Sequence, residues 1–239
     1  MSERREIKLT VLPPHPCPYL PGRAARFRGF LSGRMAGEMF HGLLDAGFRR
    51  SGRLVYRPDC VGCRECRAMR ISVERFAMSK SQRRVWRRNG DLVVTAAKAQ
   101  ASAEKFALYQ RYVREWHGKE EDATAEAFVS FLYESPVETM EMEYRDGSGR
   151  LLAVGICDRS WDALSSVYFY FDPAAARRGL GTFGVLWEMA YARREKIGWY
   201  YLGYWVANCG AMKYKSGFGP HEMLGDDGAW HAAAEWPAG

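Results

Sequence analysis

The stretch Ala174–Phe183, "AAARRGLGTF", joins two segments with different periodicities. Before it, "VYFYFDP" (167–173) is rich in aromatic and apolar residues, as a buried strand is. After it, Phe183, Leu186, Trp187 and Ala190 recur at the spacing of one helix face. Because backbone N–H groups converge where a helix begins, a glycine turn at this point can bind an anion. A plain strand-to-helix turn that needs glycines explains the pattern equally well.

Three further segments around the turn are predicted strands. "VETMEMEY" (137–144) alternates polar and apolar residues, and its polar side predicts the edge of a sheet. "LLAVGIC" (151–157) is continuously apolar, which is typical of a central strand. "WYYLGYWV" (199–206) is a last buried strand. This order of strands, glycine turn and helix resembles the core of the N-acyltransferase (acetyltransferase-like) fold.

In that fold the turn typically reads Arg/Gln-x-x-Gly-x-Gly/Ala and binds the pyrophosphate of coenzyme A. Here Gly179 and Gly181 keep the pattern, but the first position is Ala176. The departure counts against coenzyme A as the ligand.

Positive charge is concentrated in the first hundred residues of this 239-residue chain. Residues 1–100 hold 21 Lys and Arg against 8 Asp and Glu, whereas residues 101–239 hold 14 against 20. A basic segment of this kind indicates a polyanionic partner, and nucleic acid is the leading candidate. The pattern and the resemblance together predict an α+β protein. A basic α/β region with a cysteine cluster (1–100) precedes an acetyltransferase-like mixed-sheet domain (101–239).

Four helices are predicted over residues 34–48, 79–88, 102–117 and 124–134. Ser79 and Gln82 form a capping-box pattern at the beginning of the second helix. This helix has a cationic face, since Lys80, Arg83, Arg84, Arg87 and Arg88 recur at spacings of three and four. In the third, Phe106, Tyr109, Val113 and Trp116 predict a stripe that faces the core.

Targeting signals are not apparent in the sequence. No segment approaches the ~18 apolar residues of a membrane span, and the start, "MSERREIKLTVLPPHPC", lacks the apolar core of a signal peptide. We therefore expect a cytoplasmic protein with no membrane partner. Its six cysteines are then expected to be thiols or metal ligands rather than disulfides.

Several long motifs carry a more specific resemblance. They are "CPYLPGRAARF", "GFRRSGRLVYRPDCVGCREC", "RISVERFAMSKSQRRVWRRN", "YFYFDP" and "YYLGYWVANCGAMKYKSGFGP". In content and order they resemble the aminoacyl-tRNA–protein transferases, most closely the short bacterial leucyltransferases that act on aspartate and glutamate. The resemblance runs from about residue 16 to 220. It implies transfer of an amino acid from its tRNA ester to the α-amino group of a protein that begins with Asp or Glu. Such proteins become substrates for N-end-rule degradation.

The implied reaction requires little from the protein beyond positioning. Conversion of an ester to an amide is downhill, and no Walker-type nucleotide motif is present. The nucleophile is an α-amine of pKa about 7.7–8.0, of which part is neutral at physiological pH. Direct aminolysis, with a positioned amine and a stabilised oxyanion, is the expected mechanism. No cofactor is required for it.

Candidate catalytic groups come from two predicted strand ends and the segment "AMKYK". A tyrosine or lysine would donate to the oxyanion, and Asp172 would accept a proton or orient the amine. The alternative is that the tyrosines are half-buried sheet residues with satisfied hydroxyls. The candidates are Tyr168, Tyr170, Asp172, Tyr204, Lys213 and Tyr214, with Met212 as a possible contributor.

Cationic side chains are divided between the acidic acceptor and the tRNA. Guanidinium groups suit both carboxylates and phosphates, so the division is open for several of them. We assign Arg70, Lys80, Arg83, Arg49 and Arg23 to the acidic N-terminus. We assign Arg84, Arg87, Arg88, Arg50, Lys215, Arg177 and Arg178 to the tRNA. Surface arginines that do neither are the alternative.

Cys60, Cys63 and Cys66 have the spacing of zinc or iron–sulfur ligands, with Cys17 as a fourth. Eukaryotic relatives have a second cysteine beside the first one, which this chain lacks. A metal or cluster and free, packed cysteines therefore both remain open.

Two other function classes compete with this hypothesis. One is a coenzyme A-dependent N-acetyltransferase, and the other is a non-catalytic nucleic-acid or zinc-binding module. The donor could also be arginyl-tRNA, which would need a carboxylate inside the pocket. The aromatic residues at 168–171 and Met212 favour leucine.

Overall fold

The computed structural model describes residues 7–118 and 124–233. The prediction that the chain begins without a signal peptide concerns residues 1–17, of which residues 1–6 lie outside the described residues. The strands are β1 (Thr10–Val11), β2 (His15–Pro16), β3 (Ala24–Ala25), β4 (Phe27–Leu31), β5 (Arg49–Ser51), β6 (Leu54–Pro58), β7 (Arg67–Ser72), β8 (Val93–Lys98), β9 (Glu138–Arg145), β10 (Leu151–Arg159), β11 (Ala163–Phe171), β12 (Trp199–Trp205), β13 (His221–Leu224) and β14 (Trp230–Ala232). The helices are α1 (Gly37–Asp45), α2 (Lys80–Arg88), α3 (Ala103–Arg111), α4 (Ala125–Leu132), α5 (Leu180–Arg194) and α6 (Gly210–Lys213).

One sheet of eight strands organises the fold, in the order β14-β13-β7-β12-β11-β10-β9-β8. Its neighbouring strands are antiparallel except β11 and β12, which run parallel because α5 connects them. A mixed sheet with a glycine turn and a helix between two parallel strands is the predicted acyltransferase-like arrangement, and the predicted fold class is confirmed. The sheet takes β7 and β8 from the segment before residue 100.

Two hydrophobic clusters cover the faces of the sheet. Alternation along β11 sends Tyr168 and Tyr170 towards α3 and α4, and Phe169 towards α5. A smaller cluster around Phe40, Val55 and Tyr201 joins α1 and a second, four-stranded sheet to β12. That second sheet has the order β1-β4-β6-β5, and β2 pairs with β3 separately.

The predicted helix at 79–88 is confirmed, including its capping box. The Ser79 side chain accepts a hydrogen bond from the backbone of Gln82, and the Gln82 side chain accepts one from the backbone of Ser79. The continuously apolar "LLAVGIC" forms β10, an interior strand, as predicted.

The edge predicted at "VETMEMEY" is wrong. This segment forms β9, which pairs with β10 on one side and β8 on the other. Its polar side is buried because Lys105 of α3 pairs with Glu141 and, at 2.9 Å, with Glu143. A strand whose polar residues form internal ion pairs therefore shows the same alternating sequence pattern as a strand at the solvated edge of a sheet.

The helix predicted over 102–117 changes geometry part-way. α3 ends at Arg111 and continues as a π-helical turn, Tyr112–Trp116. Tyr109 and Val113 are buried as expected, but Trp116 is 52% exposed. Wide turns of this kind are frequent at functional sites, and this one borders the cavity described below.

In the described part of the chain, none of the helices has the length and hydrophobicity needed to cross a membrane.

Candidate functional site

The large sheet opens between its two parallel strands. β11 and β12 pair only from Ala163–Ser165 to Trp199–Tyr201, although both strands continue beyond that point. Gly203 has φ of 91°, and the pairing of β12 with β7 shifts between Tyr201 and Gly203. A residue with a side chain would be strained in this conformation. The glycine therefore lets β12 turn away from β11.

A cavity of about 730 Å³ lies at this opening. Its inner wall is apolar and includes Val167, Phe169, Val185 and Leu202. The glycine turn forms another side through Gly179, whose φ is 71°, and Gly181. The predicted turn therefore borders a cavity of the size of small-molecule sites.

Three buried cations, Arg49, Arg50 and Lys215, line the cavity among the described residues. Arg49 of β5 donates to the Ser165 hydroxyl at 3.2 Å and to the Gly203 carbonyl at 3.3 Å, so it bridges the two diverging strands. Within the described residues it has no carboxylate partner. Burial lowers the pKa of Arg49, and nearby tyrosines partly offset this.

Lys215 follows α6 and donates from Nζ to the Tyr204 carbonyl at 2.8 Å. Burial, followed by repulsion from Arg49, lowers the pKa of Lys215 to about 7. The site therefore holds a lysine whose charge changes near neutral pH.

One carboxylate reaches the same cavity among the described residues, Glu188 of α5. It is 1% exposed, and Tyr200 of β12 donates its hydroxyl to Oε2 at 2.5 Å. The side chains of Ser166 and Cys157 lie within hydrogen-bonding reach of it. Burial raises the pKa of Glu188 to about 7, and the neighbouring hydroxyl and thiol groups only partly counteract the rise.

Three of the predicted catalytic tyrosines line the cavity. Tyr168 lies on its wall, and Tyr214 is 49% exposed at the rim. Although half of its surface is exposed, the protein atoms around Tyr214 desolvate its hydroxyl and raise its pKa to about 12. Tyr204 also lines it, but its hydroxyl donates to the Gly47 carbonyl at 2.8 Å. Met212 is a further lining residue.

The placement of Tyr170, Asp172 and Lys213 does not fit a catalytic role. Tyr170 is fully buried, with its hydroxyl 3.5 Å from that of Tyr133. Asp172 caps the 3₁₀ helix Pro173–Arg178 by accepting from the backbone of Ala174, and it pairs with Arg150. Lys213 is exposed on α6, outside the cavity wall. Tyr170 is on the same face of β11 as Tyr168 but packs against Phe128 of α4, and Asp172 follows the end of β11.

Arg70, which we assign to the acidic N-terminus, is engaged in internal contacts. Its guanidinium is packed between the rings of Trp199 and Trp230, with centroids at 3.9 and 4.3 Å. It forms ion pairs with Asp45 at 2.7 Å and Glu222 at 2.8 Å. Two internal carboxylates therefore occupy the guanidinium that we assigned to an acidic substrate.

Arg50 was assigned to the tRNA but is fully buried. It donates to Asp158 at 2.6 Å and to the Phe131 carbonyl at 3.3 Å. Although Arg50 also lines the cavity, its charge is paired with Asp158, so it stabilises the junction of β5 with β10 rather than binding a phosphate.

The remaining predicted cations form an exposed surface beside the glycine turn. Arg88 of α2 donates to the Arg177 carbonyl at 2.8 Å, which joins the helix to the turn. Arg178 pairs with Asp91 at 2.7 Å. We call the exposed side chains of this region the basic face; they are Lys80, Arg83, Arg84, Arg87, Arg88 and Arg177.

The four N-terminal cysteines lie near one another. Burial raises the pKa of Cys66 to about 12, with smaller contributions from the thiols of Cys17, Cys60 and Cys63. Arg23 donates to the Cys63 sulfur at 3.7 Å, away from the main cavity. Within residues 7–118 and 124–233, no three Cys, His, Asp or Glu side chains are arranged to hold a metal. The metal site therefore stays a prediction.

Family sequence models match both parts of the chain. The model for the N terminus of arginine-tRNA-protein transferase matches residues 15–84, and that for the C terminus matches residues 104–225. The chain belongs to this family. The first match includes the four N-terminal cysteines and half of the basic face, and the second includes β11 and β12, which border the cavity.

Curated relatives of similar length have the name aspartate/glutamate leucyltransferase. The one from Hahella chejuensis is 40% identical and covers 94% of this chain and 97% of its own. The one from Nitrosococcus oceani is 42% identical over 90% and 91%. Among solved structures, L-PGS from Bacillus licheniformis is 11% identical, with a TM-score of 0.47 over 59% of this chain and 47% of its own.

The sequence analysis does not single out Glu188 or Ser166, and it places Trp116 in the core rather than at the cavity. Glu188 is the only charged residue in the apolar segment "FGVLWEMA" (183–190). A single carboxylate on a helix that faces the core is unusual, so the sequence pattern could have indicated it. Ser166 and Trp116 had no such signal. Their positions depend on the sheet opening and on the π-helical turn.

Proposed function

We propose that this protein transfers leucine from Leu-tRNA to the N-terminal Asp or Glu of other proteins. The observation that carries the proposal is the near-complete match in length and sequence to relatives named aspartate/glutamate leucyltransferase. The site agrees with it, because the cavity combines an apolar wall for a leucyl side chain with cations for an acidic acceptor. The product would begin with leucine, which marks a protein for degradation. Such a reaction belongs in the cytoplasm, where charged tRNA is found.

The reaction is a direct aminolysis. The acceptor amine attacks the ester carbonyl, and the bond to the ribose oxygen of the tRNA breaks. Lys215 is the group best placed to stabilise the oxyanion, since its ammonium has donors beyond the one used by Tyr204. Its burial supports this role over the phosphate contact that we predicted.

The donor would approach across the basic face. Arg84, Arg87 and Arg177 are exposed beside the turn that borders the cavity, so phosphates held there would direct the acceptor end inward. At the rim, Trp116 offers a flat exposed ring on which the terminal base can stack.

Arg49 is the preferred reader of the acidic side chain. It lies on the cavity wall with its charge uncompensated by any described carboxylate, whereas Arg70 is already paired with two. A buried, unpaired guanidinium favours a bidentate carboxylate ligand.

The decisive experiment offers Leu-tRNA and Arg-tRNA separately with peptides that begin with Asp, Glu, Asn or Lys. Mass spectrometry should detect Leu-Asp and Leu-Glu products only. An Arg-Asp product would identify the arginyl donor, for which Glu188 is the described cavity carboxylate. Consumption of acetyl-coenzyme A with no use of aminoacyl-tRNA would contradict the proposal altogether.

A matched pair of variants tests whether Arg49 binds the acidic side chain. Arg49→Lys retains the charge but loses the fork, and Arg53→Lys makes the same change at an exposed position outside the cavity wall. We expect the first to lower kcat/KM for Asp peptides by at least about 10-fold and the second to leave it unchanged. Equal activity of both variants would show that Arg49 does not bind the acidic side chain of the acceptor.

A further inference from the structure

Glu188 is a carboxylic acid in the buried interior of the protein. It stands on α5 between Trp187 and Met189 and points into the sheet beneath the cavity. An ionised carboxylate is costly to bury unless it has partners or a use. Among the described residues no lysine or arginine forms an ion pair with it.

The sheet is shaped to accept this carboxylate. A Cβ atom on Gly155 of β10 would lie 2.6 Å from Oε1 of Glu188, so a larger residue there would displace it. From the other side, Tyr200 holds Oε2 through its hydroxyl at 2.5 Å. Oε1 has no hydrogen bond of regular geometry within the described residues. One oxygen is therefore fixed, and the other retains capacity to accept a proton.

Ser166 connects the carboxylate to the cavity. It lies on β11 just after the last residue that pairs with β12, at the point where the sheet opens. Its side chain is partly exposed on the cavity wall and is also within hydrogen-bonding reach of Glu188. A hydroxyl can accept one proton while it donates another. The arrangement places a hydroxyl group between the cavity and the buried carboxylate.

We propose that Ser166 and Glu188 form the proton acceptor for aminolysis, a role that rests on the proposed function. As the C–N bond forms, the attacking nitrogen gives its proton to Ser166 Oγ, and the Ser166 hydroxyl proton moves to Glu188. When the ester C–O bond breaks, the same path returns a proton to the ribose oxygen. The sum is an amide and a free tRNA hydroxyl, with no net change in the protein. Ser166 is the catalytic residue, and Glu188 acts through it.

The electrostatic surroundings agree with this role. Burial raises the pKa of Glu188 to about 7, near the value at which a general base is most effective at neutral pH. The titratable groups that face it are Tyr200 of β12, Cys157 of β10, Tyr144 of β9 and Tyr214 beyond α6. Burial raises the pKa of each, so all four are neutral when Glu188 titrates.

The test is the pH dependence of kcat/KM for leucyl transfer to an Asp-peptide. Below pH 7 the wild type needs both a neutral amine and an ionised Glu188, whereas Glu188→Gln needs only the amine. We expect the logarithmic slope of the acid limb to be shallower by one in Glu188→Gln. At pH 8 we expect kcat/KM to be at least about 100-fold lower.

Two further variants complete the test. Ser166→Ala leaves the carboxylate in place and should lose activity to a similar extent, which covers the case in which Glu188→Gln does not fold. Glu141→Gln changes another buried carboxylate, on β9 outside the cavity wall, and should keep the wild-type profile.

If Glu188→Gln or Ser166→Ala transfers leucine at a rate within threefold of the wild type, or if a folded Glu188→Gln keeps the wild-type slope, the proton path is refuted. The proposed function itself fails only if the wild type does not use Leu-tRNA.

Discussion

At the scale of single residues, Gly155 shows how a small side chain determines the position of a functional one. Its missing Cβ leaves the space that Oε1 of Glu188 occupies. We expect Gly155→Ala to destabilise the protein by about 1–3 kcal/mol because β10 is tightly packed. Urea unfolding measures this cost, with Gly33→Ala as a control in open space. Equal midpoints for the two variants would show that the carboxylate relocates without strain.

Arg50 provides a second test at this scale. Its removal would leave the fully buried Asp158 without its cation, so Arg50→Met should cost about 3–5 kcal/mol of unfolding free energy. Arg53→Met, on an exposed neighbour, should cost little. If the residue contacts phosphate instead, the variant will lose tRNA affinity in a filter-binding assay while its unfolding curve stays in place.

Among single side chains, prediction from the sequence succeeded where a residue type and its spacing determine the contact. Ser79 and Gln82 are an example, since a capping box needs only residues of the same turn. The ion pairs of Arg70 could not be predicted, because its partners, Asp45 and Glu222, are distant in sequence and are brought to it by folding. Charge alone does not show whether a guanidinium is already occupied.

At the scale of elements, α2 carries the basic face and depends on its first turn. Ser79→Ala should destabilise the protein by about 1 kcal/mol, because the backbone N–H of Gln82 loses its acceptor. Chemical denaturation measures the change against Ser130→Ala, which makes the same substitution at an exposed position inside α4. A cost no larger than that of the control would mean that contacts with α5 alone hold the helix.

Elements were predictable when they carried a run of apolar and aromatic residues or a clear helical period. The strands β10, β11 and β12 show the first pattern, and the helix α5 shows the second. β8 was missed because its exposed, mixed pattern "VVTAAK" has no clear period. The π-helical turn could not be foreseen, since it differs from an α-helix only in the partner of each hydrogen bond.

At the scale of the whole molecule, the uneven charge predicts an ionic contribution to tRNA binding. The logarithm of affinity should fall linearly with the logarithm of salt concentration. In the double variant Arg84→Gln, Arg87→Gln the slope should be shallower by about two, one for each phosphate contact removed. Arg194→Gln, at the other end of α5, is the control. An unchanged slope in the double variant would place the tRNA on another surface.

The global arrangement was predictable only in part. Strand order around the glycine turn indicated the mixed sheet, but the position of β7 between β12 and β13 depends on long-range pairing. The cavity arises from where β11 and β12 stop pairing. No local sequence pattern indicates where the pairing of β11 and β12 ends.

The insertion of β7 has a consequence for how the protein is made. Its two partners in the sheet lie more than 100 residues further along the chain, so a nascent chain leaving the ribosome exposes this strand until most of translation is complete. Met69 and Ile71, both fully buried at the end, would meanwhile be open to chaperones. The middle of the large sheet can therefore form only late in synthesis, and a chain that ends before β12 could not form it.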